Sequence, residues 1–287
     1  IIFHLAWLGV LAQIPFLAAS VMTPLGISPQ LLGVFEALIL SLLVMYSTLY
    51  APKKWIPFLG AAFVLILSTV MVINFYGSWL ILLGSLIPFL IWALGRHALS
   101  GEQVNRLSMI VLIILAGLVL SVFPGLTGFF DVQEYPLLNQ GASWTIARNT
   151  ITSIFSGSFY GAIGTGPANY IYAYNFFRPA VFNQSIEWAR SFDVASSYYL
   201  TLIPTLGIIG MIGFLIFAGA ILYYLFSLLH KKGEFAREGA FYFFGFIAIF
   251  ISLGVYYQSV GLALIFWVML APAALLLGHA LSFKEYN

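Results

Sequence analysis

Residues 56–75 read IPFLGAAFVLILSTVMVINF and contain no charged side chain. Because an α-helix rises about 1.5 Å per residue, they would form a helix about 30 Å long, which matches the hydrocarbon thickness of a bilayer. Apolar residues make up 62% of the chain and charged residues 7%, whereas soluble domains are about a quarter charged. So few charges exclude a soluble enzyme, a nucleic-acid-binding protein and a disordered protein. We therefore predict an all-α integral membrane protein.

Similar apolar runs recur along the sequence and predict a polytopic bundle of about eight transmembrane helices. The predicted spans are 3–22, 30–50, 56–75, 78–95, 106–123, 195–229, 240–257 and 259–282. The run 195–229 is longer than one span requires, so it must project from the bilayer or bend at Pro204. Because residue 1 is Ile and the residues after it are mostly apolar, we expect the sequence to begin inside a longer protein.

The basic residues predict the orientation of these spans, because cytoplasmic loops carry an excess of Lys and Arg. If the N-terminal and C-terminal ends of this sequence are both cytoplasmic, eight of the 11 basic residues lie on the cytoplasmic side. The other three, Arg148, Arg178 and Arg190, lie in one long segment that this orientation places outside. A segment of this length that is rich in aromatic residues is expected to be an ordered, functional loop. The predicted domains are N-terminal helices over 1–123, the exterior loop over 124–194 and C-terminal helices over 195–287.

A helix at the membrane surface is predicted in the segment of this loop that begins at Asn139. Ser143 is expected to cap it, and Trp144 and Ile146 would face the interface while Arg148 faces water. A helix that only packs against its neighbours is the alternative.

The glycine-containing segment GAIGTGP, residues 161–167, has two interpretations. Glycines allow sharp turns, and such a turn can aim the N–H groups around Gly164 and Gly166 at an anion. The segment is not a Walker A loop, because no Lys-Ser or Lys-Thr pair follows it. A plain structural turn is the alternative interpretation.

Polar residues recur at steps of three or four just before the long apolar run 195–229. On a helix they would form one stripe at the mouth of a span, where the head group of an amphiphile would lie. Arginine suits phosphate because its guanidinium stays charged and donates paired hydrogen bonds. Alternatively, the stripe is a solvated ladder of ion pairs around its arginine. The stripe consists of Glu187, Arg190, Asp193, Ser196 and Ser197.

Glu36 is predicted about 9 Å inside the span 30–50, six residues from its outer end. Carboxylates inside a bilayer are costly and often functional. Glu36 could contact an acceptor or pair with an exterior arginine, or it could reach the head-group zone or stay protonated. It also defines a rival class, a polytopic transporter or channel with Glu36 on a polar pathway, although the spans contain few other polar residues at mid-depth.

At these residues the sequence resembles the O-antigen ligase superfamily, which includes lipopolysaccharide O-antigen ligases, O-antigen polymerases and bacterial O-oligosaccharyltransferases. The family pattern is a glycine turn in a large periplasmic loop, arginines, a His-Asn-like pair and, nine residues later, a Gly-x-x-Gly that opens a span. Here Ser196-Ser197, nine intervening residues and Gly207-Ile-Ile-Gly210 reproduce the spacing. The match covers about 143–215.

The resemblance implies a glycosyltransferase that needs no metal or cofactor. It would move a glycan from an undecaprenyl diphosphate carrier to a hydroxyl of a lipid core sugar, a growing polysaccharide or a protein. The reaction would take place at the periplasmic face of a bacterial inner membrane, with the bilayer and no nucleic acid as partners. The implied catalytic residues are Arg190, Asp193 and Ser196. The implied substrate-binding residues are Arg178, Gly164, Gly166, Ser197, Arg148 and Glu36.

The sequence departs from the family at the catalytic histidine, whose place is taken by Ser196. In the predicted orientation all the histidines lie at or near the cytoplasmic side, about 30 Å from the loop. Asp193 is therefore the residue expected to orient or deprotonate the acceptor. A non-catalytic member that scaffolds cell-surface glycan assembly is the alternative. The histidines are His4, His97, His230 and His279.

Overall fold

The structure, a computed structural model, describes residues 28–96, 99–122, 138–180, 182, 189–231 and 233–285. All regular elements among these residues are helices, as the sequence predicts. Two short 3₁₀ turns, Lys53–Trp55 and Ser153–Ser156, precede α2 and follow α5. The α-helices are α1 Pro29–Leu49, α2 Ile56–Ile73, α3 Tyr76–Arg96, α4 Gly101–Ser121, α5 Gln140–Thr152, α6 Tyr160–Ile163, α7 Tyr170–Phe177, α8 Tyr198–Leu229, α9 Glu234–Val255 and α10 Val260–Glu285.

Six of the described helices are long and apolar enough to cross a membrane, namely α1, α2 with its preceding turn, α3, α4, α8 and α9. A shorter apolar stretch, Val260–Leu276, lies in α10. The six long helices coincide with six of the eight predicted spans, and the described chain has the architecture of a multi-pass helical membrane protein. For the predicted span 259–282 the structure shows only the shorter apolar stretch. The first predicted span, 3–22, lies outside the described residues.

Several helices begin before the apolar run that predicted them. α4 starts at Gly101 rather than at residue 106, because Ser100 and Gln103 form a reciprocal capping box ahead of its apolar part. α9 likewise begins at Glu234 rather than at residue 240. A span predicted from hydropathy marks only the apolar part of a helix, and polar first turns extend beyond it.

The chain divides into two compact units. Of the described residues, the first contains those within 28–122, 225–252 and 260–285, and the second contains those within 138–224 and 253–259. The second unit therefore combines much of the predicted exterior loop with most of α8.

Two hydrogen bonds align the helices of the first unit. The Gln103 side-chain amide at the start of α4 donates to the Thr48 carbonyl at the end of α1 (2.8 Å). The Asn74 amide, just after α2, donates to the Ser121 carbonyl at the end of α4 (2.9 Å). The ends of α1 and α2 therefore lie at opposite ends of α4, as expected of successive membrane spans.

The core of the second unit forms where α5, α7 and the start of α8 meet. In α7, Tyr170 and Tyr174 lie four residues apart on one face and are fully buried, whereas Tyr172 on the opposite face is 60% exposed. The buried residues of this core are Leu138, Ala142, Ile146, Ala147, Tyr170, Tyr174, Ala195 and Leu200.

The long helix α8 is broken at Gly207, whereas the sequence predicted either a projection from the bilayer or a bend at Pro204. Gly207 has φ 67° and ψ −173°, which interrupts the helical hydrogen bonds. The carbonyls of Pro204 and Thr205 instead accept hydrogen bonds from the N–H groups of Thr165 and Gly166, both at 2.9 Å. Glycine adopts a positive φ at little cost, so the break falls at the glycine three residues after the proline.

Candidate functional site

The C-terminal end of α7 brings together the three chain segments that carry the loop arginines. Arg178 directly follows α7, and its N–H donates to the Tyr174 carbonyl (2.8 Å). The side chain of Asn149 on α5, next to Arg148, donates to the carbonyl of the last residue of α7 (3.5 Å). The Tyr174 hydroxyl donates to the Arg190 carbonyl (3.2 Å). The backbone of each arginine, or the residue next to it, therefore forms a hydrogen bond with the last turns of α7.

The charged side chains around this end are accessible. Arg148, Arg190 and Asp193 are exposed, and Arg178 is half-buried. Arg190 and Asp193 form no ion pair with each other in the described chain. The predicted ladder is thus not formed between these two residues, and its third member, Glu187, lies outside the described residues. The guanidinium groups of Arg148 and Arg190 remain open to an anion from solvent or from a lipid head group.

The polar stripe predicted before α8 does not lie on an α-helix. Its described part, 189–197, is largely irregular, with bends at 193–194 and 196–197. The Phe192 ring packs edge-on against Tyr174 at 5.5 Å, and the Ala195 N–H donates to the Thr201 hydroxyl (3.1 Å). These tertiary contacts with α7 and α8 outweigh the local helical spacing from which the stripe was predicted.

Ser197 ends this segment and begins α8. Its hydroxyl is mostly buried and accepts a hydrogen bond from the Leu200 N–H (3.4 Å), the geometry of a helix N-cap. The nine residues that separate the Ser196-Ser197 pair from Gly207 form the stretch of α8 before its break. The counted spacing is therefore the distance from the cap of α8 to its break.

Ser196, the other serine of the pair, is held by α5. Its N–H donates to the hydroxyl of Ser143 (3.0 Å), which is fully buried. Ser143 is therefore not the cap of α5, as predicted; Asn139 caps that helix by accepting from the Gly141 N–H (2.7 Å). The Ser196 Oγ is itself buried and makes no hydrogen bond within the described chain.

Tyr170 completes a cluster of buried hydroxyls with Ser143 and Ser196. Its hydroxyl lies beside Ser143 but makes no hydrogen bond of standard geometry in the described chain. Burial raises the pKa of Tyr170 above its ordinary value, an effect that outweighs the influence of Ser143. Tyr170 is therefore neutral and can only donate or accept a hydrogen bond at physiological pH.

The glycine turn serves the fold rather than presenting free amides. The Gly164 N–H donates to the Tyr160 carbonyl (2.8 Å), and the Gly166 N–H donates to the Thr205 carbonyl. A side chain on Gly164 would collide with the backbone of Thr205 and Leu206. The interpretation as a structural turn therefore accounts for both glycines, whose N–H groups are not available to an anion in this conformation.

The sixth implied substrate-binding residue, Glu36, belongs to the first unit, whereas the other five belong to the second. Glu36 is buried in α1 with 7% of its surface exposed. It therefore faces protein rather than lipid.

The prediction that Trp144 and Ile146 of α5 both face the membrane interface is wrong for Ile146. Ile146 is buried in the core of the second unit, whereas Trp144 is 60% exposed. α5 therefore packs against its neighbours and also presents one large aromatic side chain outward.

Exposed apolar side chains, most of them aromatic, also cover the segment between α5 and the glycine turn. Phe155 is 88% and Phe159 80% exposed, and Tyr160 and Ile163 are also exposed. We call these four residues the apolar ridge. The ridge runs into the glycine turn and so lies level with the break in α8.

Sequence reasoning missed the tyrosines that organise this site. Tyr170 and Tyr174 have the i, i+4 spacing of one helical face, and this spacing was the available signal for a buried aromatic pair. The sequence pattern predicts Ser143 as a helix cap, whereas the structure shows it as a buried acceptor for the Ser196 N–H.

Comparison of the chain with protein-family models, with curated proteins and with solved structures finds no match.

Proposed function

We propose that this protein transfers a glycan from a polyprenyl diphosphate carrier, undecaprenyl diphosphate in bacteria, to a hydroxyl acceptor at the membrane surface. The observation that carries the proposal is the attachment of three arginine-bearing segments to the end of α7. Guanidinium groups held on one frame, exposed in Arg148 and Arg190 and half-buried in Arg178, suit a leaving group that gains negative charge. The identity of the substrate, a glycan on a polyprenyl carrier, is taken from the resemblance at 143–215, because the charges alone do not identify it.

In the proposed reaction, the acceptor oxygen forms a bond to the anomeric carbon of the glycan. The bond from that carbon to the carrier phosphate breaks, and its electron pair stays on the departing diphosphate. Arg178 and Arg190 stabilise that charge, and Arg148 assists them. The acceptor proton passes to a base, for which the exposed carboxylate of Asp193 is the candidate.

Ser196 has a positioning role in this proposal. Because its Oγ is buried and its N–H is bonded to Ser143, it fixes the course of the segment between Arg190 and α8. Asp193 lies in that segment, so Ser196 acts on the reaction through Asp193. Gly164, Gly166 and Ser197 likewise maintain the fold and do not contact substrate.

Transfer assays with arginine variants test the proposal. The donor is the lipid-linked glycan that accumulates in a strain lacking the gene, and the variants are Arg178→Ala and Arg190→Ala. Each should lower turnover about 10- to 100-fold, because a charge-assisted hydrogen bond contributes roughly 1.5–3 kcal/mol. Arg237→Ala, an equivalent change at an exposed position in α9, should leave turnover unchanged. Wild-type turnover in both loop variants would refute the mechanism.

Donor binding separates the enzyme from the scaffold alternative. Wild-type protein in nanodiscs should bind undecaprenyl diphosphate and also support transfer. Binding without any transfer, at every acceptor offered, would favour the scaffold, because a scaffold needs the carrier's head group but not a reaction.

A further inference from the structure

A cavity of about 390 Å³ lies between α1, α2 and α4 in the first unit. Its volume falls within the range of ligand pockets, about 300–1,000 Å³. The lining is apolar except for a few groups, and Phe63, Leu67 and Ile110 are among its walls. The hydroxyls of Ser47 and Ser68, which also line it, donate to carbonyls of their own helices. These serines therefore bring little unsatisfied polarity to the cavity.

Arg106 is the one charged residue in the lining. Its Nε and Nη1 are buried and have no hydrogen-bond partner in the part of the chain that the structure describes. A guanidinium stays protonated at any physiological pH, and burying it without a partner is costly. The carboxylate one turn away, Glu102, lies 3.5 Å from Lys53 instead. An anion from outside the described chain that reached Nε and Nη1 would offset this cost.

The cavity opens sideways between α2 and α4. Val64 on α2 and Ile113 on α4 line it and are 62% and 48% exposed. Gly60, a third lining residue, has open space where a side chain would begin. On membrane helices such a face contacts lipid, so a hydrocarbon chain can enter the cavity from the bilayer.

The position of Arg106 along α4 matches the level of lipid phosphates. It lies five residues from the start of α4, about 8 Å along the helix axis. Nearby in the first unit, Trp55 and Phe58 are exposed and contact each other at 6.1 Å, just after the charged Lys53. Exposed tryptophans beside charged residues are typical of the interface between head groups and acyl chains.

We propose that this cavity binds an anionic phospholipid of the surrounding bilayer. The lipid phosphate lies on the Nε and Nη1 edge of Arg106, and one acyl chain follows Ile110 and Ile113 into the apolar part. The proposal concerns a structural lipid in the first unit and does not depend on the glycan chemistry assigned to the second.

Lipid retention measured by native mass spectrometry tests this site. Wild-type protein titrated with phosphatidylglycerol should retain at least tenfold more lipid than with phosphatidylcholine of the same chains, since the zwitterionic head group brings no net negative charge. Arg106→Gln should abolish the preference. Arg237→Gln, at an exposed position on α9, should preserve it.

A second variant tests the acyl-chain part and covers the case in which Arg106→Gln does not fold. Gly60→Leu keeps the guanidinium but fills the side opening, and it should lower phosphatidylglycerol retention at least fivefold. Equal binding of the two lipids, or wild-type retention in folded Gly60→Leu, would overturn the proposal. Displacement of the lipid by millimolar inorganic phosphate, or retention of undecaprenyl diphosphate in its place, would also overturn it.

Discussion

Gly164 and Gly207 lie against each other's chain segments where the glycine turn meets the break in α8. Both have positive φ, 74° and 67°. A side chain on Gly164 would collide with Thr205, and one on Gly207 would collide with the carbonyl of Ala162. The turn supplies the N–H groups that satisfy the carbonyls exposed by the break. The two features therefore depend on each other, and neither would be stable alone in a low-dielectric environment.

We expect Gly207→Ala to destabilise the protein by more than about 2 kcal/mol. A positive φ is unfavourable for alanine, and its Cβ would collide with the backbone of Ala162. Gly213→Ala is the matched control: that glycine lies on the same helix, and nothing approaches its missing side chain within 4 Å. The control should be neutral or stabilising by about 0.5–1 kcal/mol. Unfolding in mild detergent measures both, and equal stability of the two variants would show that the two segments are not interlocked.

The fold was largely predictable because hydropathy identifies spans directly. Each described span matches an apolar run of the sequence. Charged residues are so few that they mark the ends of these runs clearly. The site was less predictable. The spacing of Arg190, Asp193 and Ser196 suits a helix, but contacts of Phe192 and Ala195 with distant residues determine the local backbone. Such contacts leave no periodic signal in a single sequence.

Two tyrosines of α7 should respond differently to loss of their hydroxyl groups. Tyr174→Phe removes the hydrogen bond to the Arg190 carbonyl and should cost about 0.5–1.5 kcal/mol. It should also lower glycan transfer, because the Arg190 segment loses a tether. Tyr170→Phe removes a buried hydroxyl that makes no hydrogen bond of standard geometry with any described residue, so stability should be unchanged or higher. Thermal unfolding compares them, and a larger loss from Tyr170→Phe would contradict these assignments.

The apolar ridge should contact lipid. After the break, residues 207–229 of α8 form about 34 Å of helix, enough to cross a bilayer. With this stretch spanning the bilayer, the break and the ridge beside it would lie near the membrane boundary. Exposed aromatic residues at this level are typical of interfacial anchors.

Nitroxide labels can measure this contact, because the chain contains no cysteine. Labels at Phe155→Cys and Phe159→Cys in proteoliposomes should be reached by oxygen more readily than by a water-soluble nickel complex. A label at Gln140→Cys, an exposed polar position of the same unit, should show the reverse order. Nickel accessibility at the ridge equal to that at Gln140 would place the ridge in water.

Asp193→Asn should separate acceptor activation from donor binding. The amide retains the shape of the side chain but cannot take a proton, so turnover at saturating donor should fall roughly 100-fold. Binding of undecaprenyl diphosphate should remain within about twofold of wild type, because the arginines that contact the carrier are unchanged. Glu234→Gln, the same chemical change at an exposed site on α9, should affect neither quantity. If Asp193→Asn transfers glycan at the wild-type rate, Asp193 takes no part in the reaction. If Asp193→Asn also loses donor binding, Asp193 is a structural partner of the arginine site.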